Sequence, residues 1–358
     1  MTRFHPLRIA DVRRETPDAV SIAFAVPPEA REEFAFTPGQ YLTLRTTLGG
    51  EEVRRTYSIC SGVDDGELRV AVKRLDDGVF SRFANESLKA GDVMDVMPPL
   101  GRFGIGDTAA GAGTYVGFAA GSGITPILSI IKTVLKREPE SRFVLFYGNR
   151  SSASIIFKDA LEDLKDRFVE RLAVHHVLSR EAQEIPLLSG RITGGKVEAL
   201  LRTVGEVEAI DDVFLCGPLP MIEDVKAALA RLGVPEGRIH IEVFTPSGTP
   251  VRAPRPEPKA GVEAAPGATL TVRIDGLTQE VAMRADETVL EAAVRHGLDL
   301  PYSCRGGMCC TCRAKVTEGA GVMDQNFSLE RWEQEAGFTL TCQCRPTTPR
   351  IAVDYDAV

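Results

Sequence analysis

The sequence predicts three consecutive domains: an antiparallel β-barrel over residues 1–106, an α/β domain built on a parallel sheet over 107–246, and a smaller α+β domain over 268–358. Three observations predict this order. The first region holds short strands of alternating polarity, punctuated by Gly and Pro. The second alternates apolar strands with helical patterns, the rhythm of βαβ units. Between these and the tail lies 247–267, with five prolines and little apolar content, which reads as a semi-extended linker. A length of 358 residues suits two or three domains at roughly 100–200 residues each.

The elements follow from these patterns. Gln40–Arg45, Glu67–Lys73 and Asp92–Met97 read as barrel strands. Thr114–Ala120, Arg142–Tyr147 and Asp212–Cys216 read as buried parallel strands, and Pro126–Arg137 and Pro220–Leu232 as helices. In the tail, Thr269–Ile274 and Gln279–Met283 read as strands. Thr288–His296 reads as a helix stopped by Gly297 at C′.

A net charge of −8 disfavours nucleic-acid binding, and no Lys/Arg run marks an anionic-membrane patch. No apolar stretch approaches the roughly 20 residues needed to span a bilayer. The opening Met1-Thr-Arg-Phe-His-Pro lacks the layout of a signal peptide. A soluble cytoplasmic protein is therefore expected. The five histidines (His5, His175, His176, His240, His296) form no metal-ligand spacing with a carboxylate.

Six of the eight cysteines crowd between Cys304 and Cys344. A disulfide scaffold is small and spreads its cysteines over its loops, so this crowding points to metal. Cys304, Cys309 and Cys312 have C-x₄-C-x₂-C spacing, with Cys342 and Cys344 following later. That is the plant-type [2Fe–2S] arrangement, in which four thiolates converge on two irons. Gly306 and Gly307 permit the tight turns such a loop needs. A zinc site usually uses paired C-x₂-C knuckles, and only one is present. If the last segment is a strand, Cys342 and Cys344 share a face, so periodicity leaves the fourth ligand open. Cys310 and the surplus member of that pair read as small packing residues.

Arg55-Thr-Tyr-Ser58 ends an alternating strand. It supplies the residue types a flavin needs: Arg55 for the pyrophosphate, Tyr57 to cover the isoalloxazine, and Ser58 as a short hydroxyl near N5. Gly78-Val-Phe-Ser81, preceded by Lys73 and Arg74, reads as a turn opening a helix that can receive a phosphate. Gly121-Ser122-Gly123-Ile-Thr125-Pro126 follows an apolar strand and opens a helix, with Pro126 expected at N1. Its glycines allow close approach of a dinucleotide, although it is not the G-x-G-x-x-G fingerprint. Cys216-Gly217-Pro218 ends a later strand, so it belongs at the same crevice beyond the strand ends. Taken alone, Cys216 reads more commonly as an ordinary buried core thiol. Arg150 and Ser151, at the end of Phe143–Tyr147, favour a 2′-phosphate, and so NADPH over NADH.

In this order, these motifs resemble the ferredoxin–NADP⁺ reductase superfamily fused to a C-terminal plant-type ferredoxin domain. The resemblance covers nearly the whole chain. Arg14-Glu-Thr, Phe24–Pro27, Arg55-x-Tyr57-Ser-Ile-Cys60 and Tyr147-Gly-Asn-Arg150 resemble, more closely still, the reductase subunits of bacterial phenylacetyl-CoA epoxidases. The resemblance implies a β-grasp ferredoxin domain, FAD, a [2Fe–2S] cluster, NADPH as donor and a di-iron oxygenase as acceptor, in aerobic phenylacetate degradation. It implies that Arg55, Tyr57, Ser58, Gly78 and Ser81 hold the flavin. It also implies that Gly121, Ser122, Gly123, Thr125, Cys216, Gly217 and Pro218 meet the nicotinamide nucleotide, and that Phe244 covers the second flavin face. It selects Cys342 as the fourth ligand beside Cys304, Cys309 and Cys312. Cys310 and Cys344 depart from the broader ferredoxin pattern.

The expected reaction is hydride transfer to the flavin beside Ser58 and Cys216, followed by single-electron steps to the cluster and the partner, with no acid–base dyad. The mildly acidic tail would steer a basic docking face. The alternatives are the reductase of another aromatic-ring or multicomponent monooxygenase, or a redox sensor or carrier module without nucleotide turnover.

Overall fold

A computed structural model describes residues 4–105, 111–244 and 267–357. The expected linker therefore lies outside the described residues, apart from Gly267. The chain divides into two compact units, one carrying the first two sheets and the other the C-terminal module. No helix among the described residues is long and apolar enough to cross a membrane.

The first sheet contains β1 (His5–Thr16), β2 (Ala19–Ala25), β3 (Tyr41–Leu48), β4 (Glu51–Ser58), β5 (Leu68–Lys73) and β6 (Val93–Val96), in the order β4-β3-β6-β1-β2-β5. β1 runs antiparallel to β2 and β6, β2 to β5, and β3 to β6. Just beyond β4, Ile59 bridges Val70 of β5, so the two edges of the sheet meet and close it as a barrel. Alternate residues point inward: Leu7 and Ile9, Val20, Ile22 and Phe24, Leu42 and Leu44, and Leu68, Val70 and Val72 form one core with Phe80. Phe80 comes from α1 (Val79–Glu86).

The second sheet is wholly parallel. It comprises β7 (Thr114–Ala120), β8 (Arg142–Asn149), β9 (Leu172–Leu178), β10 (Asp212–Gly217) and β11 (Ile239–Val243), in the order β11-β10-β7-β8-β9. Its central strands β7, β8 and β10 read as continuous apolar runs because cores cover both faces. One core takes α2 (Ile124–Arg137) and α3 (Lys158–Arg167); the other takes α4 (Gly194–Leu201) and α5 (Leu219–Arg231). The strand order reverses between β7 and β10, which places a crevice at their carboxyl ends. Pro126 is the third residue of α2, after a 3₁₀ turn at Gly121–Gly123, rather than the first. It is still tolerated, because first-turn N–H groups have no intrahelical acceptor.

The C-terminal module has a mixed sheet of β12 (Thr269–Ile274), β13 (Leu277–Ala282), β14 (Arg313–Glu318), β16 (Phe338–Leu340) and β18 (Arg350–Asp354), in the order β13-β12-β18-β14-β16. A small ladder pairs β15 (Gly321–Met323) with β17 (Cys344–Pro346). α6 (Val289–Arg295) packs its apolar face into this core. A reciprocal capping box between Thr288 and Glu291 fixes its start. Its end is marked by Gly297 at φ +80°, a conformation that suits glycine. α7 (Arg331–Glu335) follows the cysteine loop.

Candidate functional site

At the switch point of the parallel sheet, the turn after β7 passes directly against the end of β10. A Cβ on Gly123 would sit 2.2 Å from the Cys216 carbonyl oxygen, so only glycine fits there. Gly121 holds φ +54°. Thr125 Oγ1 donates to the Ser122 carbonyl at 3.0 Å, and Tyr147 donates to the Gly121 carbonyl at 2.9 Å. The turn is thus fixed from within and from below. Gly217 packs closely on Met221, and the exposed Pro218 is the N-cap of α5. Lys73 Nζ comes within 3.8 Å of the position a Gly121 Cβ would take, which brings a cation to this turn.

Three side chains meet beside the turn. Ser58, the last residue of β4, donates to Glu242 Oε2 at 3.0 Å. Cys216 and Glu242 are register partners on β10 and β11, and the thiol lies 3.9 Å from the same oxygen. Burial pushes the Glu242 carboxyl up to about 8, partly offset by the hydrogen bonds from Ser58 and Cys216. Burial also holds Cys216 well above the usual thiol range. At neutral pH the cluster is therefore an uncharged serine–carboxylic acid–thiol group. The sequence patterns single out Ser58 and Cys216 but pass over Glu242.

On the barrel, the Tyr57 ring stands 5.5 Å from Phe80. Arg55 donates to the Arg54 carbonyl at 2.7 Å. α1 starts at its Gly78 N-cap, where a Cβ would press on Ser81 Oγ at 2.2 Å. The Ser81 hydroxyl is itself engaged by the turn, donating to Gly78 O and accepting from Leu75 N, each at 3.1 Å. What the turn leaves for an anion is the start of the helix. Phe244, just past β11, is half-buried against the core that includes Cys216.

At the ends of β8 and β9, Arg180 N donates to the Arg150 carbonyl at 2.8 Å, and Ser179 N to Asn149 O at 2.9 Å. Two exposed arginines therefore stand side by side. Ser151 caps a short 3₁₀ turn through reciprocal bonds with Ser154. Glu181 accepts from both the amide and the hydroxyl of Ser152, at 2.8 and 3.0 Å. The sequence patterns pass over Arg180 because β9 carries His175 and His176, which interrupt the apolar run that would reveal the strand.

In the C-terminal module, the cysteine loop turns through Arg305 at φ +51° and Gly307 at φ +75°. The thiols associate in two pairs, Cys304 with Cys309 and Cys312 with Cys342. The hydrogen bond from Cys309, together with amides including Gly306 N at 3.3 Å, holds Cys304 below the usual thiol range. The same bond with Cys304, and burial, pushes Cys309 up; the bond with Cys342, and burial, pushes Cys312 up. Two thiol pairs, with backbone amides aimed at one sulfur, suit two irons gripped by two thiolates each. Residues 341–343 form a turn rather than a strand, so Cys342 and Cys344 part company. Cys344 is buried against Gly321 and is pushed up to about 11, chiefly by that burial. Cys310 donates to Ser328 Oγ at 3.0 Å.

Comparison with known proteins agrees with this geometry. Three domain families match in sequence order: oxidoreductase FAD-binding domain over 6–105, oxidoreductase NAD-binding domain over 118–227, and 2Fe-2S iron-sulfur cluster binding domain over 272–347. The chain is 46% identical over 358 residues to a subunit of the 1,2-phenylacetyl-CoA epoxidase of Escherichia coli (strain K12), covering 100% of this chain and 99% of that one. It is 35% identical over 352 residues to the ferredoxin reductase component of 3-ketosteroid-9-alpha-monooxygenase of Rhodococcus rhodochrous, covering 98% and 96%. The solved structure of phthalate dioxygenase reductase shares its fold, with a TM-score of 0.57, 22% identity and 98% coverage of both chains. The chain thus belongs to the family of oxygenase reductases that includes the reductase subunit of phenylacetyl-CoA epoxidase, as an oxidoreductase with FAD-, NAD- and [2Fe–2S]-binding domains.

Proposed function

We propose that this reductase takes electron pairs from NADPH at the crevice of Ser58, Cys216 and Glu242 and delivers them singly, through the cysteine-held cluster, to a di-iron oxygenase acting on phenylacetyl-CoA. The observation that carries the redox reading is the convergence of Ser58, Cys216 and Glu242 beside the Gly121–Gly123 turn. The phenylacetyl-CoA assignment rests on the 46% identity along the full chain.

A nicotinamide gives two electrons at once as hydride, a [2Fe–2S] cluster accepts one, and a flavin handles either number, which is why the three occur together. The chain's own residues orient and insulate. Ser58 is held by Glu242, so its hydroxyl has one fixed direction. Glu242 stays protonated at neutral pH and places no charge against hydride movement. Cys216 stays a neutral thiol and is fully buried. Gly121, Ser122, Gly123, Thr125, Gly217 and Pro218 would seat the nucleotide. Arg150 and Arg180 would receive a 2′-phosphate, with Ser151 shaping their loop. Arg55, Tyr57, Gly78 and Ser81 would hold the flavin, with Phe244 on its other face. Cys304, Cys309, Cys312 and Cys342 would ligate the irons. All eight cysteines are free of disulfides, which supports a reducing, cytoplasmic setting.

Anaerobic stopped-flow mixing with NADPH tests the reading. Loss of flavin absorbance within the first turnover is expected; an unchanged flavin band would contradict it.

A further inference from the structure

Between the two late cysteines lies Gln343, a buried polar side chain at 7% exposure that neither spacing nor family pattern singles out. The tight turn that carries it, closed by Gln343 N to Leu340 O at 2.8 Å, places its amide over the cysteine loop. Nε2 donates to the Arg305 carbonyl at 2.8 Å and lies 3.7 Å from Cys342 Sγ. On the other side of the turn, Thr341 donates through N and Oγ1 to the Cys312 carbonyl, at 3.1 and 2.9 Å. The segment bearing Cys342 is therefore stapled to both halves of the loop bearing the other three thiols. The loop closes onto the Gln343 methylenes: a Cβ on Gly307 would meet Gln343 Cγ at 3.3 Å and Gln325 O at 2.9 Å.

We propose that Gln343 is a positioning residue for the cluster, clamping Arg305 with one amide hydrogen and donating the other to the sulfur of Cys342. The proposal rests on the assignment of Cys342 as fourth ligand. The chemistry follows from the donor count. A primary amide has two N–H donors on one nitrogen, and here one is engaged by Arg305 while a sulfur stands next to the same nitrogen. A thiol is a weak acceptor, whereas an iron-bound thiolate carries negative charge and accepts more strongly. Adding an electron makes the sulfur more negative still, so the donated hydrogen bond stabilises the reduced state more than the oxidised one. Gln343 thus raises the cluster potential.

The test is an EPR-monitored redox titration of the full-length holoprotein, with parallel measurement of iron loss to a chelator. In Gln343→Met, which preserves volume and removes both donors, the reduced-to-oxidised ratio at the wild-type midpoint should fall several-fold, on the order of three to ten. Iron loss should quicken by roughly tenfold. Gln343→Glu keeps the shape but replaces the donor with a titratable oxygen. Its potential should lie below wild type and fall further as pH rises through the carboxyl's ionisation. Should Gln343→Met assemble no cluster, Gln343→Glu carries the test alone. Wild-type midpoints, independent of pH, in every variant that holds a cluster overturn the proposal. Full iron in Cys342→Ala, which leaves no ligand atom at that position, would instead overturn the ligand assignment, so the two failures are distinguishable.

Discussion

Ser58 donates to Glu242 at 3.0 Å although 184 positions separate them, which fixes the last residue of a barrel strand to the last strand of the parallel sheet. The carboxyl that receives this bond is raised from an ordinary 4.5 to about 8 by burial. The folded state therefore binds its proton more tightly than the unfolded chain. The resulting stabilisation is complete below the unfolded value and is lost as pH rises through about 8. Glu242→Gln should remove this contribution and flatten the dependence of stability on pH by up to about 1.4 kcal/mol per pH unit. Denaturant melts of both proteins across that window check it; parallel profiles would refute it.

Gly123→Ala should damage the nucleotide site without touching the cysteine loop. The new methyl would press on the Cys216 carbonyl at 2.2 Å, where only backbone can yield. Overpacking of this kind costs about 1–3 kcal/mol. Nucleotide affinity should fall while iron content stays at wild type, as read by isothermal titration and iron assay.

Arg150 and Arg180 should account for the choice of nucleotide. Replacing either with Ala should raise the KM for NADPH roughly tenfold, the worth of one hydrogen bond to a charged group, and leave NADH kinetics nearly unchanged. Equal effects on both nucleotides would remove the 2′-phosphate assignment.

The two late cysteines should separate cleanly. Cys342→Ala should abolish the cluster's iron. Cys344→Ala should keep it and lose about 1–2 kcal/mol of stability, because it only empties packing space against Gly321. Iron and sulfide assays beside thermal melts distinguish them.

Much of this architecture is legible in the sequence because its signals are local. Thr114–Ala120 and Thr269–Ile274 are read to the residue, since their apolar patterns reflect burial on both faces or on one. The loop at Cys304–Cys312 is legible because a cluster imposes spacing on adjacent residues. What escapes is what only register creates. Glu242 in Ile241-Glu-Val243 looks like an outward polar position, yet it pairs with Cys216 across two parallel strands. Arg180 reaches Arg150 only because β9 lies beside β8. The sequence leaves open whether Cys342 and Cys344 share a strand; a turn separates them, and its hydrogen bonds go to Cys312 and Leu340, residues no periodicity links to it.

The most direct test of the relay is anaerobic titration of the purified, oxygen-protected protein with NADPH, followed by visible and EPR spectroscopy alongside flavin, iron and sulfide analysis. The account predicts flavin and cluster in equal amounts, with the flavin band bleaching and a reduced-cluster EPR signal appearing as NADPH is added. A protein without iron or sulfide, or a cluster that stays oxidised beside a reduced flavin, would contradict it.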